Sequence, residues 1–166
     1  DAFKILKNLG ATLYHYPMID AVASLVDESF SLLDFDYYVF TSVNGVKYFF
    51  NLDAVRGKMI NAICLGKKTK EALLINGIEP DFVSNECYAD NLLADLLHNK
   101  IVNNKKVLLV LGNLADNKIE EGLSSVCKVN RLNVYNTNLQ TSKNHNITNL
   151  IQSIDTISVF TSPSSF

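Results

Sequence analysis

The chain has no tryptophan, only three cysteines, three prolines and seven glycines in 166 residues. Each shortage excludes something. Cys64, Cys87 and Cys127 are odd in number, far apart and never paired as CxxC; this does not fit a disulfide framework or a zinc knuckle and predicts reduced thiols. His15, His98 and His145 are equally isolated, with no HxxEH and no nearby carboxylate at ligand spacing, so no metal site is expected. An excess of one charge is missing too. The 15 Lys+Arg face 17 Asp+Glu, a formal charge of −2 without a basic run, which argues against nucleic acid or a membrane surface held by bulk electrostatics. No apolar stretch approaches the ~18 residues that span a bilayer, and the first residues lack the basic and apolar regions of a signal peptide. The expectation is a cytoplasmic protein. At 48 % hydrophobic and 19 % charged residues, a packed core is expected rather than disorder or a coiled coil.

What is present is an alternation of short apolar runs with helical patterns. Val107 to Leu111 is apolar throughout, the pattern of a parallel strand covered on both faces. Tyr37 to Phe40, Ala62 to Leu65 and Ile157 to Phe160 read alike. Between them, Leu92, Leu93, Leu96 and Leu97 form one helical stripe and Ile147, Leu150, Ile151 and Ile154 another, with a further helix over residues 2 to 9. The helix through Glu71 to Asn76 should stop at Gly77, with Pro80 preventing its resumption. Strand alternating with helix predicts an α/β fold with a doubly wound parallel sheet.

Two segments break the rhythm. Thr12 to Ile19 and Arg131 to Gln140 are polar and extended, and Pro17 disfavours a central strand. They read as a pair of crossing linkers or, alternatively, as an edge hairpin of the same domain. Phe40, Thr41 and Ser42 recur as Phe160, Thr161 and Ser162, each after an apolar strand. This repeat predicts a second domain of the same kind. Its remaining strands are expected outside these residues or from a partner chain, since one strand with one or two helices cannot bury a sheet.

In open α/β sheets, ligands sit beyond the carboxyl ends of the strands. There the sequence offers Thr41, Ser42 and Asn44; Gly66, Lys67, Lys68 and Thr69; Gly112 and Asn113; and Thr161, Ser162 and Ser164. Hydroxyls, amides and bare helix N-termini suit carboxylate or phosphate groups, and the same residue types also cap helices. No GxxxxGK[ST] or GxGxxG is present, which disfavours nucleotides, and there is no nucleophile elbow. Asp116, Glu120 and Glu121 read as solvated helix residues. Tyr135 stands apart. Strict alternation would put Leu132 and Val134 on one face and Asn133, Tyr135 and Thr137 on the other. A phenol there could donate a proton to a leaving hydroxyl, or simply pack at a hinge with its hydroxyl in water.

Taken in order, FTSVNGVKYFF at 40–50, ICLGKKTKEALLINGIEPDFV at 63–83, ADNLLADLL at 89–97, VLLVLGNLADNKIEEGL at 107–123, LNVYNT at 132–137 and VFTSPSSF at 159–166 resemble the uroporphyrinogen-III synthase family. The resemblance implies two doubly wound, flavodoxin/Rossmann-like parallel-sheet domains joined by a two-stranded β linker. Residues 22–132 would form the complete domain; 1–21 and 133–166 would supply the linkers and part of a discontinuous second one, incomplete in this chain. It implies a cofactor-free lyase of tetrapyrrole and haem biosynthesis acting on the linear tetrapyrrole hydroxymethylbilane, with no nucleic acid or membrane partner and as a monomer. Tyr135 matches the tyrosine thought to assist loss of the hydroxyl, and Thr41, Ser42, Asn44, Gly66, Thr69, Gly112, Asn113, Thr161, Ser162 and Ser164 fall at substrate or product contacts. The alternatives are a non-catalytic module on the same fold that senses a small anion or tetrapyrrole, and a sugar- or amino-acid-binding protein of periplasmic type.

Overall fold

The apolar run at Val107 to Leu111 forms the middle of β5 (Lys106–Gly112), the strand on which most of the described core is built. The computed structural model describes residues 2–14, 17–27, 31–84, 88–140, 157 and 159. Before β5 come α1 (Ala2–Asn8), β1 (Ile19–Ala23), β2 (Tyr37–Phe40), α2 (Val43–Phe50), a short 3-10 turn at Asp53–Val55, β3 (Ala62–Leu65), α3 (Gly66–Ile75), β4 (Phe82–Ser84) and α4 (Ala89–His98). After it come α5 (Lys118–Leu123) and β6 (Lys128–Leu139). Gly77 lies just beyond α3 with φ +77°, the left-handed stop expected there. No helix among the described residues is long and apolar enough to cross a membrane.

The fold is α/β with a six-stranded, mostly parallel sheet in the order β1-β6-β5-β2-β3-β4. The β2–β3, β2–β5, β3–β4 and β5–β6 pairs are all parallel. Counting from β2 as the first strand, the parallel part runs 3-2-1-4-5, so the winding reverses between β2 and β5. Side-chain alternation along these buried strands sends residues to two apolar layers. Tyr38, Phe40, Cys64, Leu108 and Val110 join Val46 and Phe49 of α2 and Leu73 of α3. Val39, Ile63, Leu109 and Leu111 join Leu92 and Leu96 of α4 and Ile119 and Leu123 of α5.

The chain divides into two compact units, Ala21–Thr137 and Asp1–Asp20 with Asn138–Phe166. The first holds β2 to β5 with their helices. In the second, the described part includes α1, whose following residue Leu9 is 78 % exposed, and the Gln140 N–H donates to the Met18 carbonyl at 2.9 Å. The helix expected over residues 147–154 and the strand at 157–160 lie outside the described residues, apart from Ile157 and Val159, which are exposed. Cys87, His15 and His145 lie outside them as well.

Two expectations are corrected. The segment from Arg131 is not purely a linker. From Lys128 to Tyr135 it is the fifth parallel strand, paired with β5 from Lys106↔Lys128 to Gly112↔Tyr135. Its polar residues hid this, but Leu132 and Val134 are buried in the sheet core. Toward its end it meets β1, where Ser24 N–H donates to the Val134 carbonyl at 3.0 Å. With Met18 opposite Gln140, residue numbers fall on one strand as they rise on the other, so β1 and β6 run antiparallel. Extended pairing also begins later than Thr12, since β1 starts only at Ile19.

Burial pushes the Cys64 thiol from an ordinary 9.0 up to about 11, with Lys70 pulling weakly the other way. Burial raises Cys127 too. The native state therefore keeps a proton that the unfolded chain releases. Stability from Cys64 is complete below pH 9.0 and is lost as pH rises toward about 11. At pH 8, iodoacetamide should leave Cys64 unmodified in the native protein and alkylate it in urea, as read by peptide mass spectrometry; equal rates in both would contradict this placement.

Candidate functional site

The winding reverses between β2 and β5, and the carboxyl ends of strands at such a reversal are where doubly wound sheets bind ligands. Two glycines let the elements approach closely here. A Cβ on Gly45, in the first turn of α2, would stand 3.0 Å from the Val110 carbonyl oxygen, so α2 lies directly against β5. A Cβ on Gly112 would stand 2.4 Å from Cζ of Tyr135, so the phenol ring occupies space that any side chain there would fill.

Tyr135 reaches this spot through an irregularity. The register moves from Leu111↔Asn133 to Gly112↔Tyr135, one step on β5 against two on β6. That bulge breaks the alternation expected from the sequence. Tyr135 therefore packs on the same layer as Leu132 and Val134, not opposite them.

Its surroundings are specific. The Tyr135 hydroxyl is 3.3 Å from Oγ of Ser42. Ser42 is the N-cap of α2, and its Oγ accepts from the Gly45 N–H at 3.0 Å. The Tyr135 ring stacks on Tyr48 with centroids 5.6 Å apart and planes 21° from parallel. The Asn113 N–H donates to the Tyr135 carbonyl at 3.1 Å, and Asn113 Oδ1 accepts from the Thr137 N–H at 2.8 Å. A serine hydroxyl has one proton and two lone pairs. With one lone pair committed to Gly45, Ser42 can give its proton to Tyr135 and leave the phenol proton free for a ligand.

The loop after β5 is held by one side chain. Arg131 donates through Nε to Asn133 Oδ1 (3.0 Å), through Nη1 to the Asp116 carbonyl (3.2 Å) and Asn117 Oδ1 (2.9 Å), and through Nη2 to the carbonyls of Gly112 (3.3 Å) and Ala115 (2.8 Å). All five guanidinium protons are used, so Arg131 fixes the backbone on which Asn113 stands.

Of the residues anticipated from sequence, Ser42, Gly112, Asn113 and Tyr135 come together. Thr41, half-buried, directly precedes Ser42, while Asn44 is exposed in the first turn of α2. Gly66 begins α3 with φ +77° at the end of the neighbouring strand β3. Thr69 is buried on the core face of α3 with Leu73. Thr161, Ser162 and Ser164 lie outside the described residues. Sequence reasoning missed Gly45, Tyr48, Arg131 and Thr137. Tyr48 was hidden in the aromatic run Tyr48, Phe49, Phe50, which reads as core, and a strand-end glycine beside a later tyrosine was the available signal. Among the described residues, no three His, Cys, Asp or Glu cluster as metal ligands.

The family model described as HEM4, uroporphyrinogen-III synthase HemD, matches residues 2–166. No curated protein matches the chain. Among solved structures, a mutant uroporphyrinogen III synthase from the extremely thermophilic bacterium Thermus thermophilus is 20% identical with a TM-score of 0.58, covering 84% of this chain and 59% of its own. The wild-type enzyme from the same bacterium is 22% identical (TM-score 0.52; 84% and 58%), and uroporphyrinogen-III synthetase from Helicobacter pylori is 15% identical (TM-score 0.56; 80% and 59%). The chain thus spans about three fifths of the length of these structures, and at such identities they speak for the fold.

Two substitutions check the geometry. Gly112→Ala should expel the Tyr135 ring and cost about 1–3 kcal/mol in urea unfolding. Arg131→Lys, which cannot replace the five-donor fork, should cost about 2 kcal/mol. Midpoints unchanged for both would contradict the described loop.

Proposed function

The chain belongs to the uroporphyrinogen-III synthase family, and from that premise we propose that the protein converts hydroxymethylbilane to uroporphyrinogen III. The linear tetrapyrrole loses its terminal hydroxyl as water, and the resulting azafulvene cation is attacked by the pyrrole at the far end. That ring is inverted through a spiro intermediate before the macrocycle closes, a lyase reaction that needs no cofactor. The contact between Tyr135 and Ser42 at these strand ends is the observation that carries the reading. Tyr135 donates its phenol proton to the departing hydroxyl, which leaves as water, and Ser42 donates a hydrogen bond that stabilises the phenolate oxygen as charge develops there.

Because the linear substrate also closes unaided to the uninverted isomer, the main task is to hold it in the geometry that selects inversion. Thr41, Ser42, Asn44, Gly66, Gly112 and Asn113 supply hydroxyls, an amide and backbone N–H groups at adjacent strand ends for its carboxylates. Thr69 shapes the same edge from within the core, and Thr161, Ser162 and Ser164 would bind substrate likewise. In this reading the compact unit ending at Thr137 is one α/β domain, and the chain on either side belongs to a second.

The full-length protein, given hydroxymethylbilane with product isomers separated by chromatography, should yield isomer III well above the spontaneous ratio. No excess would defeat the proposal. Tyr135→Phe should lower turnover on the order of a hundredfold while moving the thermal midpoint little. Lost folding with activity per folded molecule unchanged would remove Tyr135 from the chemistry.

A further inference from the structure

Tyr48 is tied at both ends. Its ring stacks on Tyr135, and its hydroxyl donates to the carbonyl of Ala21 in β1, at the residue where the chain enters this compact unit. The Lys47 ammonium lies over the Tyr48 ring, 5.1 Å from its centroid. The ring is therefore fixed by α2, by a backbone carbonyl on β1 and by the neighbouring cation. Tyr135 is bounded by Tyr48, by the space left at Gly112 and by Ser42. Of these three, Tyr48 supplies the aromatic face on which the phenol ring stacks. The Gly112 backbone leaves the space the ring occupies, and Ser42 at 3.3 Å meets the hydroxyl. Parallel, offset stacking favours one ring orientation over rotation about χ2.

We infer that Tyr48 is a positioning residue for Tyr135, aiming the phenol hydroxyl through ring stacking and taking its own alignment from Ala21. The inference rests on the proposed proton-donating role of Tyr135. A hydroxyl misdirected by a fraction of an ångström loses proton-transfer geometry without losing ligand contacts, so the loss should fall on kcat and not on KM.

The experiment is a double-mutant cycle on the full-length protein with hydroxymethylbilane. Tyr48→Leu, which removes the stack, should lower kcat on the order of tenfold and leave KM within about twofold. In a Tyr135→Phe background, Tyr48→Leu should cause no further loss. Tyr48→Phe keeps the ring, forfeits the Ala21 bond and should fall between wild type and Tyr48→Leu; it serves also if the leucine variant fails to fold. Near-ultraviolet circular dichroism gives a readout apart from activity. Tyr48→Leu and Tyr135→Phe should each remove the same coupled tyrosine band, and the double variant should remove no more. Equal kcat losses from Tyr48→Leu in both backgrounds, or none in the wild-type background while Tyr135→Phe is slow, would overturn the inference and leave the role of Tyr135 standing. A Tyr135→Phe enzyme of normal turnover would instead defeat the reading on which it rests.

Discussion

The site depends on the missing Cβ at Gly112. An alanine there would put a carbon 2.4 Å from the Tyr135 ring, so the phenol can lie over the end of β5 only because its last residue has no side chain. The bulge in β6 completes the arrangement by bringing Tyr135 to the α2 side of the sheet. Neither feature suffices alone. Without the bulge the ring would face the α4 and α5 layer; without the glycine the bulge would drive it into β5. Gly45 is the counterpart on α2, letting the helix approach Val110 closely enough for Ser42 to meet the phenol.

A chain of net charge −2 can still offer anion-binding groups at strand ends and helix N-termini. Binding by bulk positive potential would require a basic surface and would weaken steeply with salt. Backbone N–H groups and hydroxyls at strand ends act over hydrogen-bond distances instead, with dipoles already oriented by the fold. Ser42 is the clearest instance, since the helix cap that orders α2 also orients the hydroxyl offered to Tyr135. Capping and contact with the phenol are not rival roles for this residue. Asn113 differs, because its side-chain oxygen is taken by the Thr137 N–H, leaving its amide nitrogen as the group available to a ligand.

The parallel strands were legible because burial on both faces demands continuous apolar runs, as in Val107 to Leu111, and α3 was bounded by Gly77. The strand ends were legible for a related reason: the alternation of strand with helix fixes where they fall before any side chain is placed. Two things were not. Lys128 to Tyr135 mixes Asn130, Arg131 and Asn133 with its apolar residues, and its place in the sheet comes from pairing with β5, a tertiary property. The facing of Tyr135 depends on a bulge, and a one-residue insertion reverses every alternation argument beyond it. Arg131 illustrates the same limit. Its five acceptors are mostly backbone carbonyls of the loop after β5, which leave no mark in the sequence.

Tyr135 lies two residues before the end of its compact unit, an unpromising place for a precisely aimed group, since chain ends of a unit fray most easily. The hydrogen bonds counter this. Val134 is held by Ser24, Tyr135 by the Asn113 N–H and Thr137 by the Asn113 side chain. Asn113 itself sits on the loop that Arg131 fastens to the strand. Three attachments within four consecutive residues hold the backbone on both sides of the phenol. The Asn113 side chain thus ties the last residue of the unit to the loop after β5, and the backbone that carries Tyr135 is fastened before and after the ring.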